Sequence, residues 1–443
     1  FFFKQKTAYE IKECDWSSDV CSSDLNRMRV SNILKISTVE IPKIANLSAV
    51  KIGNLPLSTA WFRGQTGFAG FGVKTKIDLS GNNRFTDVRK WWQDQLNSFQ
   101  IENQLTDFGT GPLLFSSFAF IPSSKSTFLI PEVIVGQNEK RAWITWFGDN
   151  KRPELQIENK TSPAVANQFK WATGAMSENE WQKQISTALE KIDNGEIEKV
   201  VIARDLIAAA ESEIDIQKLI ANLEKEYPNT WVFLNDGLVG ATPELLIRLK
   251  KNLVTSRILA GTIQKTGDEN KDLALAASLA KSSKDLEEHE YAVKSVADAL
   301  DGFCSSINSP ETPFVLHLSN VMHLATDVTG VIKNDLNQID ILKLVEKLHP
   351  SAAVCGTPTE KANSVIAELE KMDRQRYAGP VGWIDSTFEG EFGIALRCGQ
   401  ISDDFKSIRL FAGCGIVAMS DPAKELLESQ AKFMPMRTAL QTL

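Results

Sequence analysis

GWIDSTFEGEFGIALRCGQISDDFKSIRLFAGCGIVA, residues 382–418, carries four short apolar runs in succession, at 382–385, 392–398, 408–412 and 415–418. None is long enough for a helix, and strand following strand implies antiparallel sheet. A helix follows directly, with Asp421 able to cap it and Pro422 suited to its first turn. Working back along the chain, helical periodicity predicts helices at 177–194, 214–227, 273–280, 284–303, 339–348 and 360–372. Between them, strands are expected at 200–203, 231–234, 245–249 and 253–257, with a strand pair around 314–329. Before about residue 170 the chain reads as short strands and turns with one amphipathic helix, 85–99, where Val88, Trp91, Trp92 and Leu96 share a face. This mixture implies an α+β fold with helices covering sheet faces.

The opening run, residues 1–25, shows neither period, lacks an initiator Met and has no apolar stretch of signal-peptide length. It resembles translated adapter sequence and is set aside as non-native, with Met28 the expected start. Its three lysines (Lys4, Lys6, Lys12) and five acids (Glu10, Glu13, Asp15, Asp19, Asp24) move the formal charge from −7 to −5 when removed. The chain stays mildly acidic and has no basic stripe for phosphate backbones, so no nucleic-acid partner is expected. No apolar run approaches the ~20 residues of a membrane span, and a cytoplasmic protein, monomeric or weakly homodimeric, is expected. Cys304, Cys355, Cys398 and Cys414 lack Cys-x-x-Cys spacing and read as free thiols. The remaining length suggests two lobes, 26–170 and 171–443.

Several familiar motifs fail on register. Gly67 to Gly72 precedes Lys74-Thr75, one residue out of step with a phosphate loop, and is read as a Gly-rich turn. His289-Glu290 would begin a zinc-protease motif, but Val293 stands where its second His must be. No G-x-S-x-G elbow occurs.

The charged residues that remain fall into groups. On the last helix Glu425, Glu428 and Lys432 share a face, which alone would read as solvated charge with an i,i+4 pair of roughly a few tenths of a kcal/mol. A second helix, opened by Ser282 or Ser283, carries Asp285 and Glu288 at i,i+3 with His289 alongside. Glu244 sits between two strands, and Lys199 opens another.

Taken in order, these segments resemble the chorismate-utilising enzymes. The likeness rests on Lys199-Val-Val-Ile-Ala-Arg204, Gly240-Ala-Thr-Pro-Glu244, Ala260-Gly-Thr262, Ser282 to His289, His323-Leu-Ala-Thr326, Leu348-His-Pro350, Tyr377 to Trp383, Ala395-Leu-Arg397, Gly413 to Val417 and Glu428-Ser-Gln-Ala-Lys432. It covers about residues 180–440. The resemblance implies a large chorismate-binding fold, two lobes of antiparallel sheet packed face to face with helices outside, in which 171–443 is the catalytic region. It implies chorismate as substrate and Mg²⁺ held by Glu288 and Glu428, hard oxygen ligands of the kind Mg²⁺ prefers. Arg397 and Lys432 look like anchors for the substrate carboxylates, with backbone N–H groups at Gly261, Gly413 and Gly415 approaching closely and Thr262 nearby. Lys199 resembles a general base that activates water, and Glu244 the general acid that protonates the departing hydroxyl. His323 is expected either to orient that hydroxyl or to be a satisfied structural histidine.

Ala353, in Leu348-His-Pro-Ser-Ala-Ala-Val-Cys-Gly356, points to the isochorismate synthase branch, since the anthranilate, aminodeoxychorismate and salicylate branches typically carry Thr there. Lys199 separates the chain from the ammonia-using branches only. Cys355 and Cys414 depart from the family's usual Gly, Ala or Ser. A non-catalytic chorismate-binding descendant is the alternative of another class. The branch product feeds menaquinone, catechol siderophore or salicylate synthesis.

Overall fold

Adjacent apolar residues in these strands go to opposite faces, and both faces are covered. In the strand Leu57–Arg63, Trp61 enters one core while Ala60 and Phe62 enter another; in Trp231–Asn235, Trp231 and Phe233 alternate in the same way with Val232 and Leu234. That is why the strands read as unbroken apolar runs.

The computed structural model describes residues 33–149, 151–157, 168–333 and 339–443, and from Leu34 onward they form one compact unit. The expectation for residues 1–25 lies outside the described residues. Two large sheets dominate. One has 13 strands, running from Phe169–Thr173 through Lys199–Ala210, Ser407–Ile416, Cys398–Ile401, Leu238–Thr242 and Trp231–Asn235 into the N-terminal strands Leu57–Arg63 and Thr66–Phe71 and beyond. The other has 10, centred on Val321–Ile332, Leu253–Gln264, Leu245–Lys250, Gly390–Ile394 and Pro380–Ile384, and it too continues into N-terminal strands, beginning with Leu114–Ser117. Pairing is antiparallel throughout both sheets except between Leu34–Ile41 and Phe99–Asn103. Both sheets therefore run unbroken across residue 170.

The sheets face each other across a core that joins Trp61, Phe233 and Ile202 of one to Phe115, Ile247 and Phe392 of the other. Behind the larger sheet, Ile216–Glu226 and Pro422–Gln441 close a second core with Leu219, Leu223, Phe433 and Met436. Burial holds these helices. Leu219, Ile220 and Leu223 are fully buried and contribute roughly 1.5–3 kcal/mol each, against about 1 kcal/mol for the Asp215 cap that accepts from Lys218 N–H.

The expected helices all occur, shifted by a few residues at their ends. Four strand expectations need correction, the first at 253–257, where the strand runs on to Gln264. The strand expected at 200–203 is Lys199–Ala210, because the polar Arg204 and Asp205 that seemed to end it are buried and paired, with Glu178 at 3.3 Å and Arg409 at 2.6 Å. The strand expected at 392–398 is two, Gly390–Ile394 and Cys398–Ile401, because Arg397 turns out of the ladder at φ +49°. The two runs around Gly413-Cys414-Gly415 are one strand, Ser407–Ile416, paired without interruption to Lys199–Ala210. Gly67 to Gly72 belongs largely to the strand Thr66–Phe71, which leaves it no phosphate loop.

Candidate active site

Where Leu253–Gln264 and Ser407–Ile416 meet the helices Ser283–Asp301 and Pro422–Gln441, the structure leaves a cavity of about 550 Å³ including its mouth. Ten expected residues line it: Glu244, Gly261, Thr262, Glu288, His323, Ala353, Arg397, Gly413, Gly415 and Lys432. Lys199 and Glu428 stand just behind that lining.

The back wall depends on two glycines. Leu253–Gln264 bulges between Ala260 and Thr262, with Gly261 at φ +76°, a conformation an L side chain adopts only with strain. The bulge turns the Gly261 N–H to donate to Glu288 Oε2 at 3.3 Å. On the facing strand, a Cβ at Gly415 would lie 2.0 Å from Glu288 Oε1 and 3.1 Å from Lys199 Cε. Any side chain there would push Glu288 away. The backbone N–H of Gly261, expected to meet substrate, is thus occupied by a carboxylate of the protein.

Lys199 is fully buried and donates to the Glu288 carbonyl at 3.3 Å, with Glu288 Oε1 at 3.6 Å. Burial lowers the pKa of its amine, and the Glu288 carboxylate opposes that without reversing it. Glu244, only 4% exposed, goes the other way. Burial pushes its pKa up to about 8, against the pull of Lys199 and Arg397. It is therefore a neutral acid at pH 7. A lysine driven toward its free amine and a glutamate driven toward its acid serve one cavity, which is the pattern of an acid/base pair.

Arg397 is placed by its neighbours. His323 Nε2 lies 3.1 Å from Arg397 Nη2, while Nδ1 lies 3.1 Å from Thr262 Oγ1 and 3.3 Å from the Gly261 carbonyl. A guanidinium has no acceptor, so Nε2 must accept and the proton sits on Nδ1. Burial, followed by the charges of Arg397 and Lys432, keeps the ring neutral. Both ring nitrogens are taken, so in this arrangement His323 positions Arg397 and has no hydrogen bond left for a departing hydroxyl.

Three carboxylates, Glu288 and Glu425 buried and Glu428 partly buried, each have a lysine beside them: Glu288 has Lys199 at 3.6 Å, Glu425 has Lys284 at 2.7 Å and Glu428 has Lys432 at 2.6 Å. Lys432 also donates to the Gly413 carbonyl at 2.9 Å. Burial, then the Glu428 carboxylate, pushes Glu425 up to about 7. Burial also works against the charge of Glu428, but Lys432 and Lys284 hold its pKa below the usual carboxylate range. Glu425 is 1% exposed and its Oε2 has no hydrogen-bond partner among the described residues. Clustered carboxylate oxygens with lone pairs to spare suit a hard divalent cation, so the residues present fit Mg²⁺.

The tight group differs from the expected pair. Cys414, Glu425 and Glu428 place one ligand atom each within 4.8 Å of one another, and Glu288 falls outside that trio. Glu425 and Lys284 were missed as members of the site. Their signal was present: Glu425 lies one turn before Glu428, and Lys284 is inside Ser282 to His289, but each alone looks like helix surface. Cys304, Cys355, Cys398 and Cys414 are free and buried, and burial raises the thiol pKa in each.

A family model described as chorismate binding enzyme matches residues 23–441. The chain is 33% identical over 395 residues to isochorismate synthase MenF of Bacillus subtilis (strain 168), covering 82% of this chain and 83% of that one. It is 30% identical over 332 residues to isochorismate synthase EntC of Escherichia coli (strain K12), covering 73% and 80%. Among solved structures, a putative 2,3-dihydroxybenzoate-specific isochorismate synthase, DhbC, from Bacillus anthracis superposes with a TM-score of 0.72 at 28% identity, covering 87% of this chain and 97% of that one. Anthranilate synthase component I from Streptococcus pneumoniae TIGR4 shares the fold, with a TM-score of 0.62 at 18% identity, covering 96% and 100%.

Proposed function

The chain belongs to the chorismate binding enzyme family, and from that premise we propose that it is a Mg²⁺-dependent isochorismate synthase, an isomerase working through the residues of this cavity. The observation that carries the roles is the opposed pair: a buried lysine lowered toward its free amine and a buried glutamate raised to about 8.

Chorismate is a dianion entering an acidic protein, so its carboxylates need local cations. Arg397, held by His323, offers a planar fork, and Lys432 offers a point charge at the cavity wall. Lys199 takes a proton from water as its oxygen bonds to C2 of the ring. The ring double bonds shift, the bond from C4 to its hydroxyl breaks, and Glu244 delivers its proton so that the hydroxyl leaves as water. One water enters and one departs, and the proton gained by Lys199 replaces the one lost by Glu244 through solvent. Glu288, Glu425 and Glu428 would hold Mg²⁺, which when bound supplies positive charge to orient a substrate carboxylate and stabilise developing negative charge. Ala353 lines the cavity, and its small side chain leaves room where the ammonia-using and salicylate branches place Thr. The sheets and helices contain no helix long and apolar enough to cross a membrane among the described residues.

The test is direct. Purified protein with Mg²⁺ and chorismate, without ammonia or glutamine, should give isochorismate by chromatography and an equilibrium mixture from either side. Anthranilate, or salicylate with stoichiometric pyruvate, would overturn the reading.

A further inference from the structure

Strand alternation separates Cys414 from its neighbours. Gly413 and Gly415 line the cavity, while Cys414 points to the other face, toward the first turns of Pro422–Gln441, where its Sγ donates to the Glu425 carbonyl at 3.3 Å. There it comes within 4.8 Å of one carboxylate oxygen of Glu425 and one of Glu428. Each glutamate gives Oε1 to a lysine, Glu425 to Lys284 and Glu428 to Lys432. The Glu425 Oε2 is buried and has no hydrogen-bond partner among the described residues.

We propose that Cys414, Glu425 and Glu428 together form a site for a thiophilic divalent cation of the Zn²⁺ or Co²⁺ class. The inference shares its two carboxylates with the Mg²⁺ site assigned above and rests on that reading for them, but the thiol is what changes the selectivity. An all-oxygen set favours Mg²⁺, whereas a thiolate favours the later transition metals strongly. One sulfur and two carboxylate oxygens, with water as a fourth ligand, make a tetrahedral set that Zn²⁺ accepts and Mg²⁺ does not. On binding, the Cys414 thiol gives up its proton to solvent, one for each ion bound, and a metal–sulfur bond replaces the S–H bond. Such an ion competes with Mg²⁺ for Glu425 and Glu428, so the site makes this chain sensitive to zinc.

The experiment is a titration of the full chain with Co²⁺ alone, read by near-ultraviolet absorption for thiolate-to-metal charge transfer, with Zn²⁺ affinity measured by calorimetry. The wild-type protein should develop the band with one equivalent of Co²⁺. C414S should lose it and bind Zn²⁺ roughly tenfold or more weakly, at least the loss typical of removing a metal site's supporting partner. C414A is the second variant, and circular dichroism checks the fold of both. Co²⁺ binding to wild-type protein without the band, or equal Zn²⁺ affinity in wild type and a folded Cys414 variant, overturns the proposal. The two readings fail separately. A charge-transfer band in a protein that makes no isochorismate leaves the thiolate site standing and sinks the function; Mg²⁺-dependent isochorismate formation without the band does the reverse.

Discussion

Glu244→Gln should damage catalysis and stabilise the fold at the same time, and the size of both effects can be worked from one buried carboxyl. Glu244 is 4% exposed and its pKa is raised by burial from 4.5 to about 8. At pH 7 the folded protein keeps it protonated, while the unfolded chain ionises it freely. The sign follows: the folded state binds the extra proton, so stability falls as pH rises from about 4.5 to about 8 and levels off above that. Each pH unit is worth about 1.4 kcal/mol, so the loss is roughly 3 kcal/mol at pH 7, under about 1 kcal/mol at pH 5 and roughly 5 kcal/mol at pH 9. Gln cannot ionise and escapes the loss. Its melting temperature should exceed that of the wild type by several degrees at pH 7, by more at pH 9 and by little at pH 5. Its kcat should fall by roughly 10²-fold or more, since Gln can hydrogen-bond the departing hydroxyl but cannot protonate it. The assays are thermal melts at the three pH values and chromatographic rates with saturating chorismate. A melting difference that does not grow with pH would refute the buried-acid argument, and a near wild-type kcat would refute the role.

Lys199→Ala should also cost roughly 10²-fold or more in kcat while chorismate still binds by calorimetry. A general base must be a free amine, the form that burial favours for Lys199, so the acid limb of the kcat/KM profile should belong to Lys199 and the alkaline limb to Glu244, each vanishing in its own variant. Arg397→Ala should fail mainly in binding, losing about 1.5–3 kcal/mol of charge-assisted hydrogen bonding, read as a weaker Kd; His323→Ala should reproduce part of that loss with a smaller change in kcat. Glu428→Gln removes a charge and a hard oxygen and leaves Lys432 without its 2.6 Å partner, so the Mg²⁺ concentration for half-maximal activity should rise about tenfold or more. An unaltered Mg²⁺ titration would return that helix to mere surface charge.

The α+β character and the helices were legible because period and caps are local: Ser282, one of the two serines expected to open its helix, and Asp421 are the N-caps. What failed was also local in form. Arg204 and Asp205 looked like the end of a strand because their partners, Glu178 and Arg409, cannot be identified without the fold. Gly413-Cys414-Gly415 looked like a break, yet the strand is unbroken and Gly415 is what lets Glu288 approach it. Membership of the site was legible only through the family's ordered motifs, since Lys199, Glu244 and Glu428 each read alone as ordinary charge. The positioning role of His323 depends on a 3.1 Å contact to a residue 74 positions away, and nothing in the local sequence carries it.

The charges of the site explain why an acidic chain can take a dianion. Glu288, Glu425 and Glu428 would repel chorismate if bare, but Lys284 and Lys432 already match Glu425 and Glu428, the Gly261 N–H donates to Glu288, and Glu244 is neutral at pH 7. Arg397 is then left without a carboxylate partner in hydrogen-bonding reach among the described residues, facing only a neutral imidazole. A buried guanidinium without a counter-ion is costly, and a substrate carboxylate is what relieves it. The lysine-matched glutamates hold a different position: a divalent cation can use their second oxygens while the first stay on Lys284 and Lys432. A divalent cation held there would add a charge equal and opposite to that of the dianion in a low-dielectric cavity, so each would lower the cost of placing the other. By linkage, substrate affinity and metal affinity would then rise together by the same factor.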